Sequence, residues 1–140
     1  MDVQLSGNGT FAERRGLELA ELSRAMVKLY KERFGRGPTK AHSVYATPDL
    51  LICSLEQSLT PAEHAMAEMG EHQRLRDIRM FFQHASEDEF VATVERITGR
   101  TVRAFVSGID THHDVSSEVF YLHPRAASHV GREDGLPPKQ

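Results

Sequence analysis

The sequence predicts an α+β fold: a two-layer sandwich in the order helix–hairpin–helix–hairpin (αββαββ), with a four-stranded antiparallel sheet and helices on one face. Three observations carry that expectation. Apolar residues recur at helical spacing in two stretches, one ending near Phe34 and one between Pro61 and Thr98. Each stretch precedes two short β-rich runs joined by turn residues. The two helix-to-strand passages also resemble each other. Glu32–Ala41 reads ERFGRGPTKA, and Glu95–Ala104 reads ERITGRTVRA.

The first helix is expected from about Thr10 to Phe34. Thr10 with Glu13 fits a capping box, in which hydroxyl and carboxylate each take an orphan amide. Leu19, Leu22, Met26 and Leu29 follow on one face. Gly35 and Gly37 end it. At 1.5 Å per residue it is roughly 37 Å long, so its N-terminal half overhangs the sheet and invites a partner, most simply a second copy.

Thr39–Thr47 and Leu50–Gln57 are strand-like, with Thr47-Pro48-Asp49 as the turn. The second strand is apolar on both parities: Leu51, Cys53 and Leu55 against Leu50 and Ile52. It is therefore expected to be covered on both sides or to lie at an interface. Leu59-Thr60-Pro61-Ala62-Glu63 is the clearest local signal. Thr60 is the N-cap, Pro61 sits at N1, and Glu63 closes the box. From Pro61 to Thr98 the pattern fits either one kinked helix or several pieces, with breaks at Gly70 and near Ala85. Thr101–Asp110 and Ser117–His123 are the last strands, joined by Thr111–Ser116.

The domain reading follows. Residues 1–9 form a flexible N-terminus, 10–123 one α+β domain, and 124–140 a flexible tail rich in Pro, Gly, Ser and charge. Residues 10–57 and 60–123 are the two halves of an internal repeat, or two helix ends built from the same common parts. Glu32 and Glu95 are 63 positions apart, as are Ala41 and Ala104.

Composition excludes several classes. A chain of 140 residues with 39% hydrophobic and 26% charged residues is an ordinary globular domain. A net charge of −3 gives no overall basic field, so no nucleic-acid partner is expected. The single cysteine, Cys53, cannot form an intrachain disulfide, which fits a reducing cytoplasm. Met1–Thr10 lacks the basic and apolar regions of a signal peptide. No apolar run approaches the roughly 20 residues of a bilayer span, so direct membrane insertion is not expected.

Arg33, Arg36 and Lys40 surround the first glycine turn, and Arg96, Arg100 and Arg103 the second. Free backbone N–H groups beside forked guanidinium donors are what an anion site needs. If the repeat gathers both sets at one end of the sheet, they form a shared anion- or nucleotide-binding site. The competing explanation is helix capping with surface pairing. No GxxxxGK[ST] loop is present. His112, His113 and Asp114 are metal-ligand types, with His42 or His123 as further donors, but adjacent loop residues point apart and a solvated turn accounts for them. No metal, cofactor or catalytic residue is assigned: Cys53 sits in an apolar strand, no GxSxG motif occurs, and no acid–base pair stands out.

Four motifs in order carry a family resemblance: GRGPT (Gly35–Thr39), DLLICSL (Asp49–Leu55), LTPAE (Leu59–Glu63), and ITGRTVRAFVSG (Ile97–Gly108) followed by EVFYL (Glu118–Leu122). Together they resemble the MpsC-type family, long catalogued as a domain of unknown function, over about Leu17 to Leu122. That family is named for a soluble component encoded with a sodium-translocating, membrane-potential-generating system. Its integral-membrane partners resemble transporters for inorganic carbon. In the family pattern an acidic residue often follows the serine matching Ser107; here Gly108 stands there. The resemblance implies a non-enzymatic cytoplasmic accessory module with a membrane transporter subunit as partner, and the overhanging first helix adds the expectation of a homodimer. The alternative is an anion- or nucleotide-binding sensor that uses the two glycine–arginine turns.

Overall fold

A computed structural model describes residues 10–125. The expectations for residues 1–9, and for the tail beyond Arg125, lie outside the described residues. Four helices and one four-stranded antiparallel sheet give the α+β fold.

Helix α1 (Phe11–Phe34) opens on the expected capping box. Thr10 Oγ1 accepts from the Glu13 amide at 2.9 Å, and Glu13 Oε1 accepts from the Thr10 amide at 2.6 Å. It closes on Gly35, whose φ of 82° suits a residue without a Cβ. Gly37 is needed for a different reason. A Cβ there would stand 3.2 Å from both Val27 Cγ1 and the Val27 carbonyl, so any other residue would have to push α1 back by a few tenths of an ångström.

Strands β1 (Lys40–Thr47) and β2 (Leu50–Glu56) form the first hairpin. The stretch after it resolves into three helices: α2 (Pro61–Glu68), α3 (His72–Ala85) and α4 (Glu87–Thr98). Gly70, at φ 78°, separates the first two. At the second break the Ser86 hydroxyl donates back to the Phe82 carbonyl at 2.8 Å and makes no cap for α4. Strands β3 (Val102–Asp110) and β4 (Val115–Leu122) form the second hairpin.

The sheet order is β1-β2-β4-β3, antiparallel throughout. The two hairpins therefore meet through β2 and β4 about a pseudo-two-fold axis normal to the sheet. The cap glycines Gly35 and Gly99, and the paired serines Ser43 and Ser107, are separated by 64 positions. The equivalence in space thus slides one residue from the 63-residue match in sequence. Glu32 and Glu95 therefore stand one residue out of equivalence, and Glu32 matches Arg96 in position.

Register lines up three rows on the helix-covered face. Tyr45–Leu51–Phe120–Phe105 and Ala41–Leu55–Ser116–Ile109 flank a middle row of Ser43–Cys53–Glu118–Ser107. Leu22, Met26 and Tyr30 of α1 and Phe90 and Val94 of α4 close over this face and form the core with Leu51, Leu55, Phe120 and Leu122. α1 and α4 are tied at both ends, by Arg33 to Glu89 and by Arg96 to Glu21 at 3.8 Å.

Candidate functional site

The middle row places a carboxylate at the centre of the core. Glu118 is fully buried and sits opposite Cys53 on β2 and Ser107 on β3. Helix α1 drops the Tyr30 hydroxyl onto its Oε2, and α3 brings Gln83 Nε2 to the same oxygen at 3.2 Å. Gln83 also donates to Ser107. Burial drives the Glu118 carboxyl up to about 7; Ser107, Tyr30 and Gln83 hold the anion and pull it back only in part. Burial, with Glu118 nearby, also raises the Tyr30 phenol well above its ordinary value. The Cys53 thiol is pushed up to about 11, mainly by desolvation, so it is a weak nucleophile at neutral pH. Among the described residues, Glu118 Oε1, Gln83 Oε1 and Ser116 Oγ are buried without a hydrogen-bond partner.

A second buried polar group extends this line. Arg79 of α3 is completely enclosed. It bonds Glu63 through Nε and Nη2, each at 2.8 Å, and gives Nη2 to the Ser58 carbonyl at 2.7 Å. Its guanidinium carbon lies 3.8 Å from the centre of the Phe34 ring, and Phe34 in turn packs on Tyr30. Burial alone would raise the Glu63 carboxyl, but the bonds to Arg79 and to Thr60 outweigh it and lower the pKa.

The six basic residues do not form a shared anion site. In an antiparallel sheet of order β1-β2-β4-β3, β1 and β3 start at opposite ends. Arg33, Arg36 and Lys40 therefore lie at one end, and Arg96, Arg100 and Arg103 at the other. The two equivalent arginines after the cap glycines serve the fold. Arg36 donates to the Leu59 carbonyl at 3.1 Å, tying the chain that leaves β2. Arg100 donates to the His123 carbonyl at 2.9 Å, tying the chain that leaves β4, and also binds Pro48 and Asp49 in the first hairpin turn. Arg33 and Arg96 are spent on Glu89 and Glu21. Arg103 lies over the Tyr121 ring, 5.3 Å from its centre, and Lys40 pairs in register with Glu56.

The histidine loop also disperses. Asp114, held at φ 55°, turns inward and accepts from the Ser58 amide at 2.9 Å and the Leu59 amide at 3.2 Å. His113 Nδ1 is 3.0 Å from Asp110 Oδ2. His112 stacks on His72, ring centres 3.6 Å apart, and His72 Nδ1 meets Thr111 Oγ1 at 2.8 Å. An open cleft of about 290 Å³ lies between α2, α3 and this loop. No three metal-ligating side chains converge among the described residues.

Two surfaces remain apolar. On the open face of the sheet, Val44, Ile52, Val119 and Val106 pair in one row, and none belongs to the core. On α3, Ile78 and Phe81 stand out with Arg74 and Ala85 on the side opposite Leu75, Arg79 and Gln83; Phe81 is 68% exposed. No helix among the described residues is long and apolar enough to cross a membrane.

Comparison with known families decides the identity. Residues 14–124 match the family model described as "Na+-translocating membrane potential-generating system (MpsC)". The chain belongs to the MpsC family. No curated protein and no solved structure matches it. In MpsC terms, all four quoted motifs have structural work. GRGPT is the α1–β1 corner, DLLICSL is the β2 strand with both faces apolar, and LTPAE is the capped start of α2. The last motif, ITGRTVRAFVSG with EVFYL, carries Arg100, Ser107 and Glu118. Sequence reasoning missed Glu118, Tyr30, Gln83 and Arg79 as a group. The signal for Glu118 was a lone acid in the alternating run SEVFYL, on the parity shared with Phe120 and Leu122.

Proposed function

We propose that this chain is a cytoplasmic, non-enzymatic accessory component of a Na+-translocating membrane system. The observation that carries the reading is the MpsC family match across most of a chain whose described helices do not cross a membrane. Such a component acts by docking onto membrane-embedded subunits, for which the family resemblance suggests the inorganic-carbon-transporter type. The α3 stripe of Ile78 and Phe81 suits that role, because an exposed aromatic with an aliphatic neighbour is what an interface hot spot is built from. The chemistry favours docking over catalysis. The core groups whose titration burial displaces, Glu118, Tyr30 and Cys53, are sealed beneath helices where substrate has no access.

The test is co-purification from detergent-solubilised membranes of cells that co-express the tagged chain with membrane subunits of a Na+-translocating system. The tagged chain should retain the membrane subunits, and Ile78→Asp with Phe81→Asp should release them while leaving the circular dichroism spectrum unchanged. Recovery of no transporter component with the unmodified chain overturns the reading.

A further inference from the structure

We infer that a second copy of this chain covers the open face of the sheet, related by a two-fold axis that runs parallel to the strands between β2 and β4. The inference stands apart from the membrane partner, which is assigned to α3 on the other side of the molecule.

The face has a polarity along the strands. Toward the Asp49 end lie Val44, Ile52, Val119 and Val106, followed by Leu50 beside Tyr121. Toward the other end lie His42, Ser54, Ser117 and Gly108, then Lys40, Glu56, Val115 and Asp110. Val106 is 54% exposed on its own. β-branched side chains across four strands on the face without helices, Val106 exposed and the other three half-buried, are the composition of a sheet packed on another sheet.

The extent of the face says how much must be covered. Four strands about 4.8 Å apart and about seven residues long present a flat footprint on the order of 450 Å². A stable interface takes roughly 800 Å² of accessible surface from each partner. Even the whole face, taken as a flat footprint, falls below that figure, so the interface must use the aliphatic and polar halves together and the side-chain relief on both. The chain outside the described residues is a poor cover. Residues 126–140 hold one valine and one leucine among their larger apolar side chains, and residues 1–9 hold Met1, Val3 and Leu5.

A second copy fits in one orientation. An axis parallel to the strands keeps each row against its own counterpart and exchanges β1 with β3 and β2 with β4. Ile52 then meets Val119 of the second copy, and Val44 meets Val106. Leu50 meets Tyr121. His42, a large side chain, meets Gly108, which has none. Lys40 meets Asp110, an opposite charge. An axis across the strands reverses the rows. It lays the charged row of Lys40, Glu56 and Asp110 on Leu50 and Tyr121, which costs desolvation with no partner in return. Aligned sheets about 10 Å apart, with strands within about 30° of each other, accept the first arrangement directly.

Sedimentation velocity on the full chain at about ten micromolar should give twice the 15.7 kDa chain mass, and Ile52→Arg should weaken the dimer about a hundredfold or more. Cysteine variants at the rim decide the axis without disturbing the core. Val44→Cys mixed with Val106→Cys should cross-link through a short thiol-reactive linker, and neither alone should do so; Cys53 is buried and stays silent. A monomer at this concentration overturns the proposal, as does a dimer that survives Ile52→Arg. Cross-linking of Val44→Cys to itself also overturns it, since that signals a crosswise axis or pairing of β1 edges.

Discussion

Two adjacent rows, one on each face of this sheet, invert the usual rule. Beneath the helices, the middle row is Ser43–Cys53–Glu118–Ser107, and its carboxylate is fully buried. One residue along each strand, on the open side, the row is Val44–Ile52–Val119–Val106. The covered row is polar because helices supply its donors: Tyr30 from α1 and Gln83 from α3 both reach Glu118. The open row is apolar, the composition of a sheet face that packs on another sheet, which is what the proposed second copy supplies. Polarity alone therefore does not tell which face of a strand is buried; what stands opposite does.

Breaking the buried polar line should have the largest effect. Arg79→Ala removes two bonds to Glu63, one to the Ser58 carbonyl, and the stack on Phe34. It leaves Glu63 with only its N-terminal cap. The expected loss is roughly 3–5 kcal/mol, the cost of removing one partner of a buried pair. Urea denaturation of both proteins at neutral pH measures it.

Glu118 supplies the next test, through pH. Its carboxyl is raised by burial from 4.5 to about 7, so the folded state holds the proton more tightly than the unfolded one. Its contribution to stability is full below about pH 4.5 and is lost as pH rises through 7. The lost amount is about 3 kcal/mol at 1.36 kcal/mol per unit. Glu118→Gln cannot ionise, so the difference in stability between wild type and variant should shift in the variant's favour from pH 4.5 to 8. Glu63 and Asp110, whose pKa values are lowered, act in the opposite sense in both proteins and cancel in that difference. A difference flat in pH would mean Glu118 titrates normally. Tyr30→Phe should follow at about 1–3 kcal/mol, because it deletes a donor to a buried carboxylate.

How much of this was legible depends on range. The Thr10–Glu13 and Thr60–Glu63 caps, and the doubly apolar parity of Leu50–Leu55, are local patterns, and they appear where the sequence puts them. The break at Ser86 was ambiguous because its hydroxyl can either cap α4 or bond back to Phe82, and only packing chooses. The arginines were misleading for a topological reason. Strands one and three of a simple meander run the same way and would have gathered both corners. Pairing through β2 and β4 sends them apart, and that choice lies in cross-strand contacts no local pattern records. Glu118 was illegible for the same reason. Its donors come from residues 30 and 83, and nothing near residue 118 announces them.

The smallest expected effect is on the open face, and its smallness is informative. Val106→Thr swaps a methyl for a hydroxyl at a position that is 54% exposed in a single chain. At concentrations too low to support the proposed dimer, stability should change by less than about 0.5 kcal/mol, as for other surface sites. At concentrations where two sheets are stacked, the same hydroxyl is taken from water against Val44 of the second copy and must lose hydration without a partner. The melting temperature of the wild type should then rise with protein concentration, and the variant's should rise less. Equal melting temperatures for the two proteins at every concentration would mean that this row meets only water, and the contrast between the two faces would need another cause.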